Sequence, residues 1–591
     1  MRNLALLAPA ILAAAAAAQH PFPLPASAGD TTALEGTAPF VLPTRMTQTK
    51  LTERNALLPQ GLPTSFVNWD MVALDPSARF VFIPCENFAQ GAGVFRYDTV
   101  TGAFAVLMQG NGTGNSGRTA NPAAWNPAND EFTSMDPCTW TPWNSILVGE
   151  ETTGGRLFEV RNPLAATGPY QVVWHSKIPA MAHEGMRFDR QGALYVIDEF
   201  NSGSIYKFVP LVPGDLSVGQ TFVLSVDAYA ADQDARPAEN WNSTSNRLTT
   251  RFGPATWIPM TDASGNALTT ADPFAFVTTT GGRTAADELL ATPYGRPEDL
   301  DIATLANGNE AVFVAITSEN RVLSIELTGA STAIVREFAN FDTINLATGA
   351  DVNPLQNDPY TSPGAGTVFN NPDNIALDAW GGVYVIEDAN PGDTWKCVDA
   401  DRDGVAEAMG LFTTLGVAGS EPTGMIFDPV DPYRFVACVQ HPSSGSDALW
   451  SFSTRPFAGS DQDLVLRSGV NAAPRTGPGE FVKAARSGDN LVFAIDSPNG
   501  TFDYAPFALL LQPTVTPPFR FLPPLWISPL SPIVVVSGGF AGGFQHVLPP
   551  QGATYALRVP TGTLGLSVVA QGLAISNTGA IIATDAHEVI L

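Results

Sequence analysis

The feature that most constrains this chain is a repeat. A short apolar, β-prone run ends again and again in acidic or amide residues. Phe80 to Cys85 leads into Glu86-Asn87, Ile146 to Gly149 into Glu150-Glu151, and Leu194 to Ile197 into Asp198-Glu199. Val312 to Thr317 leads to Glu319-Asn320, Val383 to Ile386 to Glu387-Asp388, and Phe435 to Val439 to Gln440-His441; Leu491 to Ile495 before Asp496 is a weaker seventh copy. Upstream of most copies stand a polar group, an apolar alternation and a Gly or Pro turn, as in "GMRFDRQGALYVIDE" after His183-Glu184 and "IALDAWGGVYVIED" after Asp373-Asn374. This reads as strand, tight turn, strand. A second strand pair usually follows, as in "GRLFEV" and "NRVLSIEL".

Repeated four-stranded units predict an all-β fold, a six-bladed β-propeller made irregular by insertions at about residues 210–290 and 340–370. In a propeller the first strand of each blade lines the central channel. Acids at these strand ends would therefore converge, and like charges at close range raise one another's pKa unless cations intervene.

The charge balance fits that expectation. Asp and Glu number 57 against 30 Lys and Arg, a formal net charge of −27, which excludes nucleic acid and anionic membrane surfaces as main partners. Met1 to Ala18, with Arg2 before an apolar run, reads as a secretory signal rather than an anchor helix. No membrane span is expected once it is removed, because the run from Phe519 to Val536 is broken by prolines. The expected location is secreted, periplasmic or at the cell surface. Residues 19–505 are assigned to the propeller and 506–591 to a small C-terminal β-domain. Cys85, Cys138, Cys397 and Cys438 could make two disulfides in such a compartment.

Five runs, in this order, carry a family resemblance: "CTWTPWNSILVGEE" from Cys138, "AHEG" from Ala182, "YGRPEDLD" from Tyr294, "FNNPDNIALDAWGGVYVIED" from Phe369 and "SEPTGMIFDP…VQHP" from Ser420. They resemble the PhoX-type alkaline phosphatases over roughly residues 60–456. The resemblance implies a secreted six-bladed propeller that hydrolyses phosphomonoesters at an iron and calcium cluster held by a cysteine thiolate and several acids. It places Cys138 at the thiolate position and Glu150, Glu151, Glu184, Glu298, Asp373, Glu387 and Glu421 among the metal-binding acids. Arg296 would hold phosphate, and Asn68 loosely matches an asparagine of the first blade. One departure concerns the cysteine. Only Thr139-Trp140 separate Cys138 from Thr141-Pro142-Trp143, where the family usually has two more residues.

The chemistry of the residues runs parallel. Carboxylates suit calcium and ferric iron, and a thiolate among them would select a transition metal. Arg296 would grip phosphate oxygens, or else pair with Glu298 or Asp299. A further cation loop is expected at Asp399, Asp401 and Asp403 before Gly404, with Glu407 nearby, although Gly410 stands where an EF-hand has its bidentate acid. No Walker-type loop or GxSxG motif is present. The leading reading is a monomeric, metal-dependent phosphatase acting on a small phosphorylated substrate. A calcium-dependent lactonase-like hydrolase and a non-catalytic, calcium-stabilised surface propeller are the alternatives.

Overall fold

The computed structural model describes residues 34–591 other than 44–45, 88–91, 111–121, 128–129, 277–279, 361–367, 380, 391, 432–433, 455–458, 461, 477–479, 515–524, 528–533, 538–546 and 562–565. The signal segment Met1 to Ala18 lies outside the described residues. The chain divides into two compact units, residues 24–429 with 435–452, and residues 453–591 with 430–434.

The larger unit is a β-propeller. Its first blade is Ala73–Leu74, Phe80–Cys85, Gly93–Asp98 and Phe104–Gln109, and its second Met135–Trp140, Ile146–Glu150, Leu157–Val160 and Val172–Trp174. The third is His183–Phe188, Leu194–Asp198, Ile205–Val212 and Asp215–Val226; the fourth is Pro297–Thr304, Glu310–Ile316, Arg321–Leu327 and Thr332–Asn340. The insertion between them contributes Gly253–Pro259, which pairs with the outer strands of both and fuses them into one nine-stranded sheet. Pro372–Leu377, Val383–Glu387, Gly392–Val398 and Ala408–Leu415 form the fifth. The last joins Glu421–Phe427, Arg434–Gln440 and Ala448–Thr454 to Met46–Glu53 from the start of the described chain. In the first five blades pairing is antiparallel and follows chain order, as short tight turns require.

The first strand of each blade packs against the first strand of the next, and Glu421–Phe427 closes the circle against Ala73–Leu74. Alternation then sends one face of each inner strand into a seam with its neighbour. Cys138, Ile146 and Phe158 of the second blade fill one seam with Ala73, Phe82 and Val94 of the first. Between the fifth and last blades the seam is aromatic: Tyr384 and Phe427 lie 5.0 Å apart, Phe427 and Phe435 5.4 Å, and Phe435 and Phe452 4.6 Å. Truncating a ring such as Phe435 would cost about 3–5 kcal/mol.

The smaller unit crosses the boundary expected at residue 505. Asn490–Asp496 pairs with Val465–Val470 on one side and with Ala553–Arg558 on the other. The weak seventh copy of the repeat therefore belongs to this unit and is not a blade. A second sheet, built around Phe507–Thr514 and Ser567–Ile575, shares its core with the first through Phe493, Ile495, Leu509 and Ala570. The expected disulfides are not formed. Cys85, Cys138, Cys397 and Cys438 are buried free thiols.

Because the last blade takes its fourth strand from Met46–Glu53, this strand closes the ring. Deleting residues up to Glu53 is expected to abolish the cooperative thermal unfolding seen by circular dichroism; an unchanged transition would contradict closure by this strand.

Candidate metal centre

Equivalent positions on the inner strands carry the acids. Met135 pairs with Glu150, His183 with Asp198, Pro297 with Ile316 and Pro372 with Glu387. In each case the register then slips before pairing resumes at Cys138, Met186, Leu300 and Ile375. The residue after the first pair, in the slip, is Asp136, Glu184, Glu298 or Asp373. A bulge of this kind re-aims a side chain, here away from the seam. Two residues before three of these acids the chain turns through a left-handed residue: Ser134 at φ 41°, Arg296 at φ 60° and Asn371 at φ 45°. Asn68, at φ 56°, precedes Asp70 of the first blade in the same way. Such conformations cost non-glycine residues roughly 1–2 kcal/mol, and the ring recovers that cost elsewhere.

Close approach of neighbouring blades completes the cluster. A side chain at Gly185 would put its Cβ 2.3 Å from the Leu300 nitrogen and 2.7 Å from the Asp299 Cα. This bare backbone lets the Glu184 and Glu298 strands touch. Ligand atoms of Asp136, Glu151 and Glu184 lie within 4.8 Å of one another, and so do those of Glu184, Glu298 and Asp373. Both triads could hold a metal ion, and Glu184 belongs to both. Its Oε2 is buried without a hydrogen-bond partner.

Around the triads stand Asp70, Glu86, Glu199, Asp388 and Glu421, all in electrostatic contact with them or with one another. Burial first, and neighbouring carboxylates second, push the Asp136, Glu151, Glu184, Glu298 and Asp373 carboxyls well above the usual range. Burial and Glu86 lift Asp70 to about 7, and burial and Asp388 lift Glu421 to about 10. Carboxyl groups hydrogen-bond to one another, Asp136 to Glu184, Glu151 to Glu199 and Glu421 to Asp388. Each such contact needs a proton, or a cation in its place.

An arginine side chain counters part of this charge. Arg296 Nε lies 2.6 Å from Glu199 Oε1 and 2.7 Å from Glu298 Oε1, with Asp388 3.8 Å from Nη1. Its side chain is 41% exposed, so the guanidinium keeps a face toward solvent while ion-paired. Both sequence readings of Arg296 are thus compatible. His441 Nε2 sits 3.4 Å from Glu421 Oε1.

Several sequence candidates lie elsewhere. Glu150 and Glu387 have the opposite strand parity to Glu151 and Asp388, so they point into their blades. Arg156 binds both oxygens of Glu150 at 2.9 Å, and Glu387 accepts from Asn370 N and Trp395 Nε1 at 2.8 Å. Asp198 and Glu319 follow the same rule, bound by Arg283 at 2.7 Å and by Arg251 at 2.6 and 2.8 Å. Cys138 joins neither triad. It packs in the apolar seam, and burial pushes its thiol up. Asn68 acts through its backbone, donating to Asp447 at 2.7 Å and accepting from Glu86 N at 2.9 Å. Strand parity was the signal that could have singled out Asp70, Glu86, Asp136, Glu199 and Asp388, since most of them stand in the repeat itself.

At the expected calcium loop, ligand atoms of Asp399, Asp401 and Glu407 lie within 4.8 Å, and Asp403 is outside the group. Backbone amides already engage it: Asp403 N and Gly404 N donate to Asp399 at 3.1 and 3.0 Å, and Ala400 N donates to Glu407 at 2.8 Å.

Residues 155–443 match the family model described as alkaline phosphatase PhoX. That span includes Glu184, Arg296, Glu298, Asp373, Glu387 and Glu421, and begins after Cys138 and Glu151. No curated protein matches the chain. Among solved structures, the Dos1 propeller is 12% identical at a TM-score of 0.30, covering 66% of this chain and 93% of its own. The α-L-arabinofuranosidase PaAbf62A from Podospora anserina is 10% identical at a TM-score of 0.27, covering 69% and 96%.

Two outcomes are expected. Raised carboxyl pKa values mean that the folded chain holds protons the unfolded chain has released. Without metal, the cluster opposes folding least below about pH 4 and progressively more as pH rises from about 4 toward 10, through the values lifted to about 7 at Asp70 and about 10 at Glu421. Calcium should therefore raise the Tm more at pH 9 than at pH 5 in calorimetry, and an equal or reversed shift would contradict the cluster's electrostatics. Gly185→Ala should weaken calcium binding at least about tenfold in a calcium titration while the chain stays folded; unchanged affinity would show that strand contact here does not set the triads.

Proposed function

From the membership of residues 155–443 in the PhoX alkaline phosphatase family, we propose that this chain hydrolyses phosphomonoesters at the acidic cluster of its propeller, in a reaction that depends on bound cations. The observation that carries the reading is the pair of carboxylate triads sharing Glu184, beside a half-open arginine. Family membership supports a phosphatase of the alkaline type and a small phosphorylated substrate.

Electrostatics requires the cations. A phosphate dianion would be repelled by the surrounding carboxylates, and Arg296 alone does not offset them. The donors present fit calcium, which takes 6–8 oxygen ligands at about 2.3–2.6 Å, so that two ligands of one ion lie at most about 5 Å apart. They do not fit an iron held by a thiolate, because the Cys138 thiol is buried in the apolar seam. Asp136, Glu151, Glu184, Glu298 and Asp373 would hold the ions, which when bound polarise phosphoryl oxygens and offset their charge.

The chain's own residues position the substrate. Arg296 presents a planar fork that can grip two phosphoryl oxygens, the geometry for which arginine is suited. Glu199 and Glu298 fix its Nε side, and the left-handed backbone at Arg296 turns it toward the cluster. Thr317 Oγ1 donates to Glu298 at 3.0 Å and Gln440 Nε2 to Asp70 at 2.8 Å, steadying two of the acids. Export through the Met1 to Ala18 signal, and action as a monomer, complete the proposal.

Aryl phosphate hydrolysis at alkaline pH should disappear on chelation. Arg296→Ala should lower kcat/KM by about 10²-fold or more, and Glu184→Gln should remove both activity and bound metal. Glu387→Gln, inside its blade, should lower stability while leaving metal content intact. Absence of phosphate release from metal-loaded protein, or full activity in Glu184→Gln, would overturn the reading.

A further inference from the structure

The strand register decides which residue of the second blade faces the cluster. Pairing resumes after the slip at Cys138 with Val148, Met186 with Val196, Leu300 with Val314 and Ile375 with Val385. Cys138 is thus the counterpart of Met186, Leu300 and Ile375, the apolar seam position. Asp136 is the counterpart of Glu184, Glu298 and Asp373. The sequence spacing agrees: restoring the two residues missing before Thr141-Pro142-Trp143 moves the expected thiolate position from Cys138 back to Asp136. Asp136 is 5% exposed and its ligand atom lies within 4.8 Å of those of Glu151 and Glu184.

The resulting donor set contains oxygen alone. Among the described residues no cysteine or histidine joins either triad. A second observation points to a ligand: Glu184, 2% exposed, has its Oε2 buried among these acids without a hydrogen-bond partner. A buried carboxylate oxygen in that condition is costly unless something positive meets it. Sulfur would have favoured a softer transition metal; oxygen alone suits hard cations, and calcium, which takes 6–8 oxygen ligands, matches the many carboxylates gathered here.

We propose that Asp136 stands in the place of a thiolate ligand, and that the centre is an all-oxygen calcium site that neither needs nor retains iron. This deepens the phosphatase reading and rests on it for the site's purpose, but it concerns which ion the donors select. Glu184, common to both triads, would serve both ion positions, with Asp136 and Glu151 at one and Glu298 and Asp373 at the other. Cys138 takes no part.

The test is elemental analysis of full-length protein purified without chelator from medium containing calcium, iron, manganese and zinc. Calorimetric titration of the stripped protein with calcium follows, for the wild type, Asp136→Asn and Cys138→Ala. The expected result is calcium with only trace iron, a loss of calcium affinity of at least about tenfold in Asp136→Asn, and wild-type affinity in Cys138→Ala. Stoichiometric iron, manganese or zinc in the wild type would overturn the proposal, as would iron lost on Cys138→Ala. Were Asp136→Asn not to fold, the wild type and Cys138→Ala still decide it by their metal content. Phosphate release measured on the same samples separates the two readings. Calcium without activity sinks the phosphatase and leaves the donor assignment standing; iron with activity does the reverse.

Discussion

Mutual repulsion among buried carboxylates is the constraint on which the propeller unit turns. The cluster gathers Asp70, Asp136, Glu151, Glu184, Glu298 and Asp373 with further acids at the ends of the second strands, and the Arg296 guanidinium stands beside them. Water cannot reach most of these groups to disperse their charge. The folded chain must take up protons or cations, and the choice between them depends on pH. An apolar core of this size holds the ring together regardless. What the cluster adds is a stored demand for positive charge at one place, which is how a binding site can be built from groups that oppose folding.

The blades make that concentration possible. In four blades the inner strand contributes one acid to the cluster through a register slip, and the following residues return to the seams. Polar demand and apolar packing are thereby separated by a single residue along the same strand. In the last blade the equivalent position is Gly424, which carries no acid, and the hydroxyl of the preceding Thr423 donates to Asp70 and to Asn374, so the last blade supports the first rather than adding charge. Buried arginines such as Arg156 and Arg251 neutralise the acids of opposite parity.

Much of this was legible in the sequence, and the misses have physical causes. The repeat of strand, turn, strand and acid pointed to the propeller because period-two alternation and Gly or Pro turns are local signals. Glu151, Glu184, Glu298 and Asp373 were singled out from sequence, and the structure brings them together. Where the repeat ends in two acids, the sequence offered both, but consecutive strand residues face opposite sides. Glu150 and Glu387 therefore go to internal partners. Cys138 was drawn in by the motif it opens, whereas the strand register makes Asp136 the counterpart of Glu184, Glu298 and Asp373. Neither the closure of the ring by Met46–Glu53 nor the pairing of Asn490–Asp496 with Ala553–Arg558 could be read locally, since both join segments far apart in the chain.

The central claim is that cations occupy the cluster in place of protons. Anomalous difference density from crystals grown with calcium tests it most directly. The account predicts peaks within about 2.3–2.6 Å of carboxylate oxygens in both triads, bridged by Glu184. Density at neither triad, with the carboxyl groups in direct proton-sharing contact at alkaline pH, would contradict it.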